Sequence, residues 1–307
     1  TFHPSRWKEC LVTRLLTIMM IAVVLFAPAG TTAEAQTPDL ERLDAAIEQA
    51  RRDWNVPGLA VAIVKDGNVV LARGYGVREM GRPEAVDADT LFAIASNTKA
   101  FTATAISMLA EDGKLTLDDR VVAHLPYFEL YDPYVTSDIR IRDLLSHRSG
   151  LGTFSGDLLW YGTPYSREDV VRRARFLAQA GPFRARYGYQ NIMFVAAGEI
   201  VAAVSGRTWD AFVKERIFGP LGMTRTVSTF AEVKTATNIA TPHAGTYAPL
   251  RPYPWYSWDA CGPAASIVSS ANDMAKWIAG QLGGGVADGR RLFPENAPRA
   301  MWTPQVS

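Results

Sequence analysis

Ser96 and Lys99 stand three residues apart, a spacing that puts a hydroxyl and an amine side by side on one helix face. Between Ser96 and Ala110, Lys99 is the only charge, and its neighbours include Ala100, Phe101, Ala103, Ala105, Ile106, Met108 and Leu109. A helix apolar on most sides is buried. Burial of an amine favours its neutral form, and a hydroxyl beside such an amine is an activated nucleophile. The helix N-terminus adds free N–H groups and a positive dipole end, suited to a developing oxyanion. Taken alone, the pattern also fits a capping serine and a snorkelling lysine. A second Ser-x-x-Lys, Ser5 to Lys8, carries no such context.

Tyr189 and Asn191 form Tyr-x-Asn at the entry to a strongly apolar run. A phenol near an ammonium can act as general base, and a side-chain amide can orient a substrate carbonyl. A core tyrosine and an asparagine N-cap are the plainer readings of the same two residues. His147-Arg148-Ser149-Gly150 closes a short helix and reads as a structural turn. Trp160-Tyr161 lies in a loop, either packed or walling a pocket.

The elements around these residues follow from periodicity and punctuation. Asp39 precedes an amphipathic helix that ends near Trp54. Leu59 to Lys65 and Asn68 to Tyr75 are strand-like and joined through Asp66-Gly67, a hairpin turn. Helical patterns run from Ser96 to Gly113, Ile139 to Leu145, Arg167 to Gln179, Asn191 to Val204, Trp209 to Ile217 and Ala271 to Leu282. Two convincing strands are fewer than a stable sheet needs, so the remaining strands are expected from the C-terminus. Strands at the front and helices in the middle predict an α+β class.

The chain has 307 residues, 48% of them hydrophobic and 21% charged, which excludes disordered and fibrous classes. A formal net charge of +1 leaves no electrostatic footprint for nucleic acid. Cys10 and Cys261 make no disulfide scaffold, and His3, His124, His147 and His243 form no metal-ligand spacing, so neither metal nor other cofactor is implied. Gly283-Gly284-Gly285 has no Lys-Ser/Thr after it and is a loop rather than a phosphate cradle.

Arg6, Lys8 and Arg14, the uncharged run Leu15 to Ala27 and Ala33-Glu34-Ala35 read as a signal peptide cut after Ala35. The run is short for a bilayer span. Residues 1–35 are therefore a leader, residues 36–307 a single domain, and the product is exported to a periplasmic or extracellular space. A membrane is involved only if the leader stays uncut. After cleavage Cys261 is the only thiol. A start at Thr1 instead of Met suggests a fragment.

Several segments together resemble the penicillin-recognising serine hydrolases: class C β-lactamases, D,D-peptidases and esterases of the same fold. They are VPGLAVAIVKDG, LFAIASNTKAFTATAISMLAEDGKLTLDD, IRDLLSHRSGL, YGYQNIMFVAAGEIVAAVSG, IFGPLGMTRT and SSANDMAKWI, in that order. The resemblance implies a β-lactamase/transpeptidase-like fold, with an antiparallel sheet flanked by helices plus a helical subdomain. It implies Ser96 as acylated nucleophile, Lys99 as proton partner and Tyr189 as general base. Asn191 would hold the substrate, and the Ser96 N–H would form half of an oxyanion hole.

One part of the family pattern is missing. The family's third box is Lys-Thr-Gly or His-x-Gly on a later strand. No Lys-Thr-Gly occurs, and His243-Ala244-Gly245 follows Thr241-Pro242 and reads as a loop lookalike. The expectation is a sequence truncated at its C-terminus, of low activity as it stands. The expected substrate is a β-lactam, a D-amino acid peptide or a small ester. A non-catalytic receptor for cell-wall peptides or β-lactams and a membrane-anchored interaction protein are the alternatives. Oligomeric state is not encoded legibly.

Overall fold

The computed structural model describes residues 39–245, 249–287 and 289–305, so the expected leader over residues 1–35 lies outside the described residues. The chain divides into two units, Thr1–Ala45 and Ala46–Ser307. In the first, Asp39 accepts from the Arg42 N–H at 3.0 Å and starts helix α1 (Leu40–Asp53). The remaining elements belong to the second unit.

Strands β1 (Gly58–Lys65) and β2 (Asn68–Gly76) pair antiparallel from Gly58↔Gly76 to Lys65↔Asn68, with a bulge between Ile63 and Val64. Asp66 and Gly67 turn the chain with φ of 53° and 77°. Such two-residue turns match the twist of the strands they join. Three shorter ladders follow, built from β3 (Phe92–Ala93), β4 (His243–Ala244), β5 (Arg251–Pro252), β6 (Val268–Ser269), β7 (Val286–Ala287) and β8 (Arg290–Arg291). They pair β3 with β6, β4 with β5 and β7 with β8, all antiparallel. The single sheet expected from the sequence is thus four two-stranded ladders among the described residues. His243 lies on a strand and not in a loop. Its partner Pro252 has no N–H to donate, which keeps that ladder short.

The core is helical. Helix α2 (Thr98–Glu111) packs along helix α3 (Ile192–Ser205), which also meets the helices Ile141–Leu145 and Arg167–Arg173 and the turn Gly262–Ala265. All of Ile192–Gly198 is buried, as are Ile200 and Val201. Each such large apolar side chain contributes about 1.5–3 kcal/mol. On α2, the Phe101 ring stacks on Trp277 of helix α4 (Ala271–Leu282) at 3.9 Å and meets Phe218 edge-on at 5.8 Å. Helix α4 in turn packs on β1 and β2.

Two predicted helices end differently. Arg167–Gln179 is α-helical only to Arg173, then tightens to a 3₁₀ turn over Ala174–Phe176. Trp209–Ile217 leaves α geometry after Val213 and widens to a π turn over Lys214–Phe218. Among the described residues no single helix is long and apolar enough to cross a membrane.

The segment 262–267 is docked on α2 and α3 by specific contacts. Thr102 Oγ1 donates to the Pro263 carbonyl at 2.6 Å, and Ile267 N–H donates to Thr98 Oγ1 at 3.2 Å. Opposite them, Gly198 lets α3 approach Pro263, whose ring occupies the space a Cβ would need. Gly198→Ala should therefore destabilise the fold by about 1–3 kcal/mol, as overpacking does, although alanine favours helix. Urea unfolding followed by circular dichroism measures this; an unchanged or higher midpoint would show that the turn yields freely.

Candidate active site

Ser96 lies on the 3₁₀ turn Ala95–Asn97, just ahead of α2, rather than on the α-helix itself. Ala95 holds φ at 45°, a left-handed conformation that costs a residue with a side chain on the order of 1 kcal/mol or more. This kink presents Ser96 as an exposed side chain beside a buried helix. Among the described residues no backbone carbonyl accepts from the Ser96 N–H. That donor is therefore free to meet an oxyanion.

Lys99 is buried, 8% exposed, and the sole cation of α2. Its Nζ donates to Ser96 Oγ at 3.2 Å, Asn191 Oδ1 at 2.8 Å and the Ala264 carbonyl at 3.0 Å. Three acceptors match the three donors of an ammonium. The sequence suggests a bare, desolvated amine; the structure surrounds it with acceptors. The faces of Tyr189 and Phe194 add further stabilisation, with ring centroids 4.7 and 5.5 Å from Nζ.

Tyr189 Oη is 2.6 Å from Ser96 Oγ, and either atom can donate. The tyrosine is held by the turn that follows helix Ile141–Leu145. Phe154 N–H donates to the Tyr189 carbonyl at 2.9 Å, and Tyr189 N–H to Thr153 Oγ1 at 3.3 Å. Gln190 N–H donates to His147 Nδ1 at 3.0 Å, and Gln190 Nε2 donates to the Gly152 carbonyl. The His147 ring lies 4.6 Å from the Tyr189 ring. Burial, and then the nearby Lys99 charge, hold the imidazole down at about 4. His147 is thus neutral at pH 7, with Nδ1 as acceptor. Arg184 ties the two segments together, bonding the buried Asp143 at 2.7 Å and Asp138 at 2.7 Å.

The amide of Asn191 is satisfied at both ends within the protein. Its Oδ1 takes Lys99, and its Nδ2 donates to both carboxylate oxygens of Asp157 at 3.1 and 3.0 Å. Asp157 Oδ1 also accepts from Trp160 Nε1 at 3.1 Å. A chain of hydrogen bonds therefore runs from Trp160 through Asp157, Asn191 and Lys99 to Ser96 and Tyr189. Holding a substrate carbonyl, as the resemblance implies for Asn191, would fall to the same Nδ2 that donates to Asp157.

The structure brings Ser96, Lys99, Tyr189 and Asn191 into one hydrogen-bonded cluster. Sequence reasoning missed Asp157 and the Ala264 carbonyl. Asp157 opens a single 3₁₀ turn, Asp157–Leu159, too short to show a periodicity, and a backbone carbonyl carries no residue signature. His243 instead accepts from the Met80 N–H at 3.0 Å, and no described contact joins it to Ser96, Lys99 or Tyr189. Among the described residues no group of three His, Cys, Asp or Glu could hold a metal ion. Cys261 is buried, and burial pushes its thiol up to about 12, which makes it unreactive.

The family model described as Beta-lactamase matches residues 43–307. In sequence the chain is similar to the unguisins hydrolase of Aspergillus violaceofuscus, 33% identical over 256 residues, which are 76% of this chain and 43% of that protein. It is similar also to penicillin-binding protein 4 of Amycolatopsis lactamdurans, 32% identical over 282 residues, 87% of this chain and 69% of that protein. Its fold aligns with the octameric penicillin-binding protein homologue from Pyrococcus abyssi at a TM-score of 0.75 and 26% identity, over 87% of this chain and 60% of that one. The chain spans less than half the length of the fungal hydrolase.

Replacing Asp157 by Asn removes the charge to which Asn191 Nδ2 and Trp160 Nε1 donate, so Asn191, one of the three acceptors of Lys99, is held less firmly. Turnover of Asp157→Asn should fall about ten- to a hundredfold, with the melting temperature little changed; unaltered kinetics would show that Asp157 is not a positioning residue. His147 binds no proton in the folded state between pH 6.5 and 4, whereas the unfolded chain does. Stability is therefore complete above pH 6.5 and falls towards pH 4, by about 3 kcal/mol in all. Urea midpoints across that range should decline, and His147→Gln should flatten the decline.

Proposed function

The chain belongs to the β-lactamase family, and from that premise we propose that it is an exported serine acyl hydrolase acting through an acyl-enzyme on Ser96. The observation that carries this reading is the placing of Ser96 Oγ 2.6 Å from Tyr189 Oη and 3.2 Å from Lys99 Nζ.

The steps follow from those distances. Ser96 Oγ attacks the substrate carbonyl carbon while its proton passes to Tyr189 Oη, and the negative charge developing on the carbonyl oxygen meets the Ser96 N–H. Lys99 Nζ, 3.2 Å from Ser96 Oγ and 4.7 Å from the Tyr189 ring centroid, favours the ionised form of whichever oxygen has lost its proton. Collapse breaks the bond to the leaving nitrogen or oxygen, which takes the proton from Tyr189. A water molecule then attacks the ester, its proton goes to Tyr189, and Ser96 regains a proton as the acid departs.

The substrate class is a β-lactam, a D-amino acid peptide or a small ester; one relative is named as a hydrolase, of unguisins, and another as a penicillin-binding protein, which supports a hydrolysable acyl group. The leader pattern over residues 1–35 supports export.

A fluorophosphonate probe tests the mechanism. It should label the protein, and Ser96→Ala should abolish labelling while circular dichroism stays unchanged. Lys99→Met should slow labelling by about 10²–10⁴-fold. Labelling that survives Ser96→Ala would place the nucleophile elsewhere, and acylation by an ester substrate without release of acid would mark a receptor instead of a hydrolase.

A further inference from the structure

Beside the cluster lies a cavity of about 510 Å³ whose walls carry six aromatic side chains: Trp160, Tyr161, Tyr165, Tyr253, Tyr256 and Trp258. A second cavity of about 120 Å³ has Ala95, Ser266, Tyr256 and Trp258 in its lining. Tyr256, Trp258 and Asp259 line both cavities, and the smaller is lined also by Ala95, the residue preceding Ser96, so the aromatic cleft and the Ser96 turn are separated by only one layer of residues. From these observations we infer that the cleft is a specificity subsite for an uncharged substrate segment bearing an aromatic or similarly large apolar side chain. The inference rests on Ser96 being the nucleophile, since the cleft is placed relative to it.

Three features define the occupant. The aromatic walls are open: Tyr161, Tyr256 and Trp258 are 53%, 47% and 36% exposed. Exposed rings in a concave patch mark a binding site more often than packing. They are arranged in tilted pairs, Trp160 on Trp258 at 5.4 Å and Tyr253 on Tyr256 at 5.5 Å. A further ring adds to such an arrangement edge-on or offset.

The second feature is charge. Among the described residues Asp259 is the only charged one lining the larger cavity. Its Oδ1 already accepts from the Phe230 N–H at 2.8 Å. The described wall is therefore acidic where it is charged at all, which favours an internal or blocked peptide segment over a free acid.

The third feature is linkage to the reacting groups. Trp160 donates to Asp157, which in turn holds Asn191 and so Lys99. A ring seated against Trp160 and Trp258 therefore touches the same hydrogen-bonded chain that positions the amine.

Calorimetric titration tests the inference, on the full chain carrying Ser96→Ala so that ligand is not consumed. N-acetylphenylalaninamide should bind about tenfold or more tightly than N-acetylalaninamide, the gain from burying the ring. Tyr256→Ala and Trp258→Ala should each erode that preference, and Tyr256→Phe, which keeps the ring, should retain it. Both sites are exposed enough for these variants to fold, and circular dichroism verifies it. Equal affinities for the two amides would overturn the inference, and so would a preference indifferent to both alanine variants. Tighter binding of a β-1,4-linked N-acetylglucosamine disaccharide, lost in both variants, would also overturn it and make the cleft a glycan site. Fluorophosphonate labelling of the unsubstituted chain is read separately. Ring preference without labelling at Ser96 leaves a binding cleft but removes the serine mechanism and with it the subsite role; labelling without ring preference removes the cleft alone.

Discussion

A buried ammonium must find as many acceptors as it has protons, and that requirement at Lys99 organises this molecule. An unpaired charge in such a place costs several kcal/mol. The three acceptors come from three parts of the chain: Ser96 one turn earlier, Asn191 at the head of α3, and the Ala264 carbonyl in the turn before β6. Satisfying Lys99 thus fixes α2, α3 and the 262–267 turn relative to one another. The apolar packing of α2 on α3 and the Thr102 and Thr98 hydrogen bonds supply the energy that makes this fixed arrangement the stable one.

The same logic extends one layer outward. Tyr189 reaches Ser96 only because its backbone is bracketed by Thr153 and Phe154 and its ring rests beside His147. The imidazole has to stay neutral, because Nδ1 accepts from Gln190 N–H and Lys99 is near. The His147-Arg148-Ser149-Gly150 turn is thus scaffold for the phenol. The Asp143–Arg184 pair joins the two segments that meet there, an arrangement in which loss of Arg184 would leave the buried Asp143 carboxylate without its cation.

The interior of the site and its mouth obey different constraints. Around Lys99 the partners are fixed by hydrogen bonds and burial. Around the cleft the tyrosines and tryptophans are partly exposed and held mainly by one another. Asp157 touches both, as it holds Asn191 and receives Trp160.

Features that depend on near neighbours in the chain are legible in the sequence by itself. The Asp66-Gly67 hairpin, the buried character of α2 and the adjacency of Ser96 and Lys99 all rest on contacts a few residues long. The ordered segments also point to the family. The sheet is less legible: proline at position 252 and short pairings leave ladders where the strand count suggests one sheet. What only tertiary structure decides is the company the lysine keeps. Asn191 lies 92 positions away and Ala264 165 positions away. Asp157 carries no local pattern at all. No periodicity encodes such separations, because they are set by which helix faces pack together, and that is a property of the whole chain.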